Sequence, residues 1–253
     1  MNKLKVLLSL VVVLLMTGCQ NSSFINTLGS KELPSTGEMQ TKQIKLSQGL
    51  ENLVVNNGLN VEYTQGKDCK ATVSGPADAI ALLEVLDRGD DLSISLKHNY
   101  VDSKGIVKIS VVAPSISDFT ATTSASIRFV GGLKADKVDL QASTSATIEA
   151  SSITAREVTA VSSTSADMTL SGIVAKTVKA GVSTSATITL AGEATNVEFT
   201  ASTSGTIDAK GLKADSGEAV ATTSGSIDCA ILNPEITETT SGSVTNAAQA
   251  NAQ

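Results

Sequence analysis

The chain has 253 residues, 41% of them hydrophobic, 17% charged and only 2% aromatic, with a formal net charge of −6. That length suits one elongated domain or two small ones. A mildly acidic chain without a basic cluster is a poor partner for nucleic acid or anionic lipid headgroups. With no Trp, two Tyr and four Phe, it also lacks the aromatic faces on which sugar clefts stack pyranose rings.

The N-terminus reads as an export signal. Lys3 and Lys5 form a basic n-region, and residues 6–16 form an apolar h-region too short to span a bilayer as a mature helix. It ends in Leu15-Met16-Thr17-Gly18-Cys19, which resembles the lipobox of bacterial lipoproteins. The resemblance implies a signal peptide over 1–18, cleavage after Gly18 and acylation of Cys19. Acyl chains contribute about 0.8 kcal/mol per buried methylene, so two or three of them hold a protein stably in a membrane. Gln20 stands where the inner-membrane retention rule has Asp. The expected location is therefore the outer membrane of a Gram-negative bacterium, on its periplasmic or its outer face. Residues 19–40 then comprise the lipidated cysteine and a polar tether, with Ser22, Ser23, Gly29, Pro34, Ser35 and Gly37 breaking any periodicity.

Residues 41–115 are predicted to be irregular but rich in strands. Apolar alternation marks strands at 44–46, 53–55, 59–63, 71–73, 92–96 and 107–111, with turns at Asn57-Gly58, Gly66-Lys67, Gly75-Pro76 and Gly89-Asp90. Residues 77–86 are predicted as one short helix.

From 116 to 245 the chain repeats itself. The phrase Thr-Ser-(Ala/Gly)-x-(Ile/Met/Val) recurs seven times, at Thr123, Thr144, Thr164, Thr184, Thr203, Thr223 and Thr240, in steps of about 20 residues. Such a period marks a solenoid, in which no repeat buries its own apolar face and stacking does it instead. Within one repeat, Val138, Leu140, Ala142, Thr144, Ala146, Ile148 and Ala150 share a parity, as in a strand. Across repeats the same parity yields a ladder of Ile127, Ile148, Met168, Ile188, Ile207, Ile227 and Val244. The pattern carries no strict hexapeptide, calcium-binding nonapeptide or leucine-rich signature. The predicted fold is all-β: a right-handed, single-stranded parallel β-helix of about seven coils, roughly 34 Å long at the ~4.8 Å strand spacing. Residues 246–253 form a polar tail, with no amphipathic helix expected to cap the last coil.

The opposite parity is paved with hydroxyls in three columns that start at Thr122, Ser124 and Ser126. These are expected to form one flat face. Its middle column, Ser145, Ser165, Ser185, Ser204 and Ser224, is the candidate recognition face for a polar protein or glycan. The plainer reading, and the favoured one, is a soluble surface whose hydroxyls hydrogen-bond up the ladder; a bend at the Thr-Ser step would instead turn some serines inward as a corner ladder.

With Cys19 taken by lipid, Cys69 and Cys229 remain. Five coils separate them, far beyond the ~7 Å Cα limit of a disulfide, so two separate buried thiols are predicted. His98 is the only histidine and has no His/Cys/Asp cluster around it, so no metal or cofactor is expected. The candidate acids Glu149, Asp167, Glu198, Asp208 and Asp228 are scattered, and only Asp208 and Asp228 are expected on adjacent coils of one column.

The segments Gly58-Leu59-Asn60-Val61-Glu62, Gln65-Gly66, Val73-Ser74-Gly75, Asp91-Leu92-Ser93-Ile94 and 107–114, leading into the Thr-Ser ladder, resemble the autotransporter-adhesin head GIN domain family. The resemblance covers roughly residues 41–245. It implies a β-helical lipoprotein without an established catalytic residue. Here Ala replaces the family's frequent Gly in the early coils. The reading favoured is a non-catalytic, lipid-anchored envelope protein that binds a partner. Alternatives are a structural module associating through open β-helix ends, and a polysaccharide lyase or hydrolase, whose chemistry needs convergent carboxylates or calcium-binding aspartates on neighbouring coils.

Overall fold

A computed structural model describes residues 29–97 and 99–250, so the export signal, Cys19, most of the tether and His98 lie outside the described residues. Among the described residues no helix is long and apolar enough to cross a membrane. The chain from Glu32 onward forms one compact unit. It is a β-solenoid of about six turns built on a 17-stranded sheet. The repeats supply strands β8 (Asp118–Thr122), β9 (Ser126–Phe129), β10 (Leu133–Ser143), β11 (Thr147–Ala150) and β12 (Ile153–Ser163). They continue as β13 (Asp167–Val182), β14 (Thr187–Ala201), β15 (Thr206–Ala221), β16 (Ser226–Glu238) and β17 (Ser243–Asn246).

Each coil pairs in parallel with the next, and the register stacks like on like. Ile127 lies over Ile148, then Met168, Ile188, Ile207, Ile227 and Val244. All but Val244 are at most 1% exposed. Fully burying such a side chain is worth about 1.5–3 kcal/mol, so the central ladder alone is a large stabilising term. The predicted columns of Leu133, Ile153 and Ile173 and of Val138, Val158, Val178 and Val197 are buried beside it. The seventh phrase builds only half a coil, because β17 pairs with Ser226–Cys229 and no further along β16.

The N-terminal strands are β1 (Met39–Lys45), β2 (Asn52–Val55), β3 (Asn60–Gln65), β4 (Lys70–Pro76), β5 (Leu83–Asp87), β6 (Asp91–Leu96) and β7 (Lys108–Ala113). They belong to the same solenoid, in an order that is not chain order. Strand β2 pairs in parallel with both β6 and β8, and β3 with both β7 and β9. Residues 52–65 are thus a coil sandwiched between 91–113 and 118–129. Tyr63 seals this junction: its ring packs edge-on against Phe119 at 4.9 Å and Phe129 at 5.6 Å, and its hydroxyl donates to the Ala113 carbonyl at 2.9 Å. Antiparallel strands close this end, β4 between β1 and β7, and β5 against β6.

Two local expectations are corrected. The predicted helix over 77–86 is only α1 (Ala77–Ile80), followed by β5, whose Leu83 and Val85 pair with the buried Leu96 and Ile94. Gly75-Pro76 ends strand β4 rather than turning, since Pro76 still pairs with Met39. The C-terminal end is also not bare. The Asn246 side chain accepts from the Ile231 N–H at 3.0 Å and donates to its carbonyl at 2.8 Å, replacing a strand there. The Glu238 carboxylate, on the inward column of Ala201 and Ala221, accepts the Val244 N–H at 2.6 Å. A short helix, α2 (Ala247–Ala250), follows. Cys69 and Cys229 are both buried free thiols, and burial next to Asp228 pushes the Cys229 thiol up to about 11.

Candidate functional site

The Thr-Ser phrase is a corner, and its geometry differs from that of a strand. In all seven copies both residues have positive φ, from 47° to 62°, for example 53° at Thr184 and 60° at Ser185. A backbone hydrogen bond closes each turn, as from Ala186 N–H to the Ser183 carbonyl at 3.2 Å. Two consecutive positive φ values are the pattern of a type I′ turn, which normally selects Asn-Gly. Asn57-Gly58, with φ of 63° and 73°, is that preferred version at the sandwiched coil. Its Gly58 N–H donates to the Thr123 carbonyl at 2.9 Å, so it heads the same series.

The corners are stitched together by backbone. The N–H of Ser145 donates to the Thr164 carbonyl at 3.0 Å, Ser165 to Thr184 at 3.0 Å, Ser185 to Thr203 at 3.1 Å and Ser204 to Thr223 at 3.2 Å. This overturns the expectation of one flat hydroxyl face. The column of Thr122 and Ser143 ends one stack of strands, the column of Ser126 and Thr147 begins the next, and the Thr-Ser pair turns between them. The result is a ridge on which Ser145, Ser165, Ser185, Ser204 and Ser224 are all exposed. None of these five hydroxyls makes a hydrogen bond to another described residue, so the ladder is held by peptide groups and the hydroxyls face solvent. Small residues must follow the corner: Ala146, Ala166 and Ala186 are at most 1% exposed, and a Cβ on Gly225 would stand 2.4 Å from the Ala201 carbonyl oxygen.

The carboxylates are arranged differently from the expectation. Asp208 and Asp228 do stack, but Lys210 Nζ lies 3.5 Å from the first and 3.0 Å from the second. Contact with Asp228 above all holds the lysine above the ordinary range. Arg128 stacks between Glu62 and Glu149, and Asp167 is exposed. Two further acidic stacks went unforeseen. Asp118 lies against Asp139, and burial, then the Asp139 charge, raises the Asp118 carboxyl; Lys137 contacts Asp139 at 2.8 Å. Glu198, Glu218 and Glu235 form a run of three, and burial followed by the Glu235 and Glu198 charges raises Glu218. Among the described residues no group of three or more His, Cys, Asp or Glu could hold a metal. The concavities are shallow: one of about 520 Å³ is floored by Ala175, Ala194 and Ala214, and one of about 350 Å³ lies between β1 and β5.

The profile of the family described as "Putative auto-transporter adhesin, head GIN domain" matches residues 49–177 and 173–247. No curated protein sequence matches. Among solved structures, a putative lipid binding protein from Parabacteroides distasonis shares 19% identity at a TM-score of 0.75. A putative adhesin from the same organism shares 16% at 0.74, and one from Parabacteroides merdae 16% at 0.75. Each alignment covers 86% of this chain and 100% of the other, and at these identities they establish the fold alone.

Proposed function

The chain belongs to the head GIN domain family of auto-transporter adhesin type, and from that premise we propose that it is a non-catalytic, lipid-anchored envelope protein binding a partner along its Thr-Ser ridge. The observation that carries this reading is the ridge itself: strained corners, locked coil to coil, with the exposed hydroxyls of Ser145, Ser165, Ser185, Ser204 and Ser224 at regular ~4.8 Å steps. Strain of this kind at seven successive non-glycine pairs persists only where the surrounding structure enforces it. The engagement of Asp208 and Asp228 by Lys210 supports a surface role for the acids rather than an acid–base pair. The Leu15–Cys19 pattern supports acylation of Cys19 and an outer-membrane address.

Three measurements test the parts separately. Labelled palmitate should enter the wild-type chain, and Cys19→Ser should move it from the membrane to the soluble fraction; a variant that still pellets sinks the anchor. A glycan and matrix-protein array should show selective binding that bulky substitutions at Ser165, Ser185 and Ser204 abolish. Reducing-end and unsaturated-uronate assays should stay silent; cleavage lost in Asp208→Asn or Asp228→Asn would overturn the non-enzyme reading.

A further inference from the structure

We infer that the outer half of the last coil is a strand-addition site for a basic, extended partner segment. It is a different surface from the ridge. Among the described residues, strand β16 is covered from the C-terminal side where β17 stacks on Ser226–Cys229, where Asn246 takes up Ile231 and where α2 packs against it. Among the described residues no strand pairs with its outer side from Pro234 to Glu238. In the coil below, Ala219 is fully buried; Ile236, which stacks on it, is 41% exposed, and Leu232 is 66% exposed.

The direction of the backbone follows from the register. Asp118 and Asp139 donate their N–H groups to the preceding coil, at 3.1 Å to Glu51 and 2.9 Å to Ser117. Glu235 continues their column through Thr159, Lys179, Glu198 and Glu218, so its N–H points back into the fold. Alternation along the strand then points the backbone groups of Pro234, Ile236 and Glu238 away from the preceding coil, toward the open side. Pro234 lacks an N–H, and the Glu238 carboxylate is engaged by Val244. The open groups are the Pro234 carbonyl, both groups of Ile236 and the Glu238 N–H. This is a partly guarded edge that admits a short ladder rather than an endless sheet.

Charge selects the occupant. Other stacked acids have a cation: Lys210 for Asp208 and Asp228, Arg156 for Asp136, Lys137 for Asp139. Among the described residues Glu218 and Glu235 have no ion pair, Glu238 adds a charge, and no Lys or Arg follows Lys213. An added strand would set one side chain over Glu235 and its neighbours over Pro234 and Ile236. Lys or Arg fits the first place and apolar residues fit the others, an alternation typical of strand addition with side-chain readout. The chain's own free edge, β1, puts Lys42 and Ile44 on one parity and so does not carry that alternation.

The test titrates the full chain, purified in detergent, into fluorescent octapeptides alternating Val with Lys or Val with Glu. Anisotropy should show the lysine peptide binding at least about tenfold more tightly, equivalent to ~1.4 kcal/mol, and weakening with salt. Glu235→Lys, with an unchanged Tm, should erase the difference, and N-methylation of alternate peptide residues should abolish binding. Substitutions at Ser165 and Ser185 should leave it intact, which separates this site from the ridge. No binding, equal binding of both peptides, undiminished binding of the N-methylated one, or indifference to Glu235→Lys would each overturn the inference. Concentration-dependent dimers abolished by Glu235→Lys would also overturn it, by naming a second copy as the occupant.

Discussion

At the scale of single residues, the Thr-Ser corner is a conflict between local preference and global stacking. An L-residue in the left-handed region costs roughly 1–2 kcal/mol, and a β-branched one is an outlier there. Ser185 at φ 60° bears that cost while its N–H serves the next coil. Ser185→Gly should therefore leave stability unchanged or raise it by up to about 1 kcal/mol, the relief being offset by glycine's entropy in the unfolded chain. Ser185→Val should lower it, and chemical denaturation of both variants checks the ordering. The small position next to the corner makes the opposite prediction. Gly225→Ala places a Cβ against the Ala201 backbone and should cost several kcal/mol, although Ala146 and Ala166 occupy the same column without strain. A Tm within a degree of wild type would show that the last coils can spread. Ile188, fully buried between Met168 and Ile207, allows the simplest test of facing: Ile188→Asp should abolish cooperative unfolding, because the carboxylate has no partner in the ladder.

At the scale of strands and columns, much was legible and the misreadings have identifiable causes. The Ile188 ladder and its neighbours were readable because a core column repeats its residue type every coil. The flat face was misread because period-two counting assumes negative φ throughout, and two left-handed residues turn the chain instead. The glutamate column was missed because the register shifts between Leu170 and Ile173, Thr189 and Ala191, and Ala209 and Lys213. Offsets counted from one Thr-Ser phrase therefore lose alignment further round the coil. That column predicts a pH effect. Glu218 has its carboxyl raised in the folded chain, by burial first and by Glu235 and Glu198 next. The native state thus holds its proton more tightly than the unfolded one. This stabilising contribution is complete below the ordinary glutamate range and is lost as pH rises through the raised value. Glu218→Gln should flatten the stability profile across that interval and leave the variant the more stable at neutral pH. Denaturant midpoints measured from pH 4 to 8 should show it, and parallel profiles for the two proteins would count against like-charge stacking.

At the scale of the whole molecule, the stack has two kinds of coil that should respond differently to deletion. The repetitive coils contact only their neighbours, so stability there is close to a sum of nearest-neighbour terms. Glu157 registers with Thr177, Val158 with Val178 and Ala160 with Ala180. Removing residues 157–176 joins Arg156 to Thr177 and brings every column back into line, with Ser145 then donating to Thr184. That shortened chain should keep its β-type circular dichroism and unfold in one transition a few degrees lower. Residues 52–65 are different, since they lie between 91–113 and 118–129 rather than between their neighbours in sequence. Their loss removes Tyr63, opens the Phe119–Phe129 pair and leaves two coils that never pair with each other face to face. Nothing in the chain could refill the gap in register, so this deletion should unfold the N-terminal end and make it protease-sensitive. If both deletions proved equally tolerated, the non-sequential stacking order would be wrong.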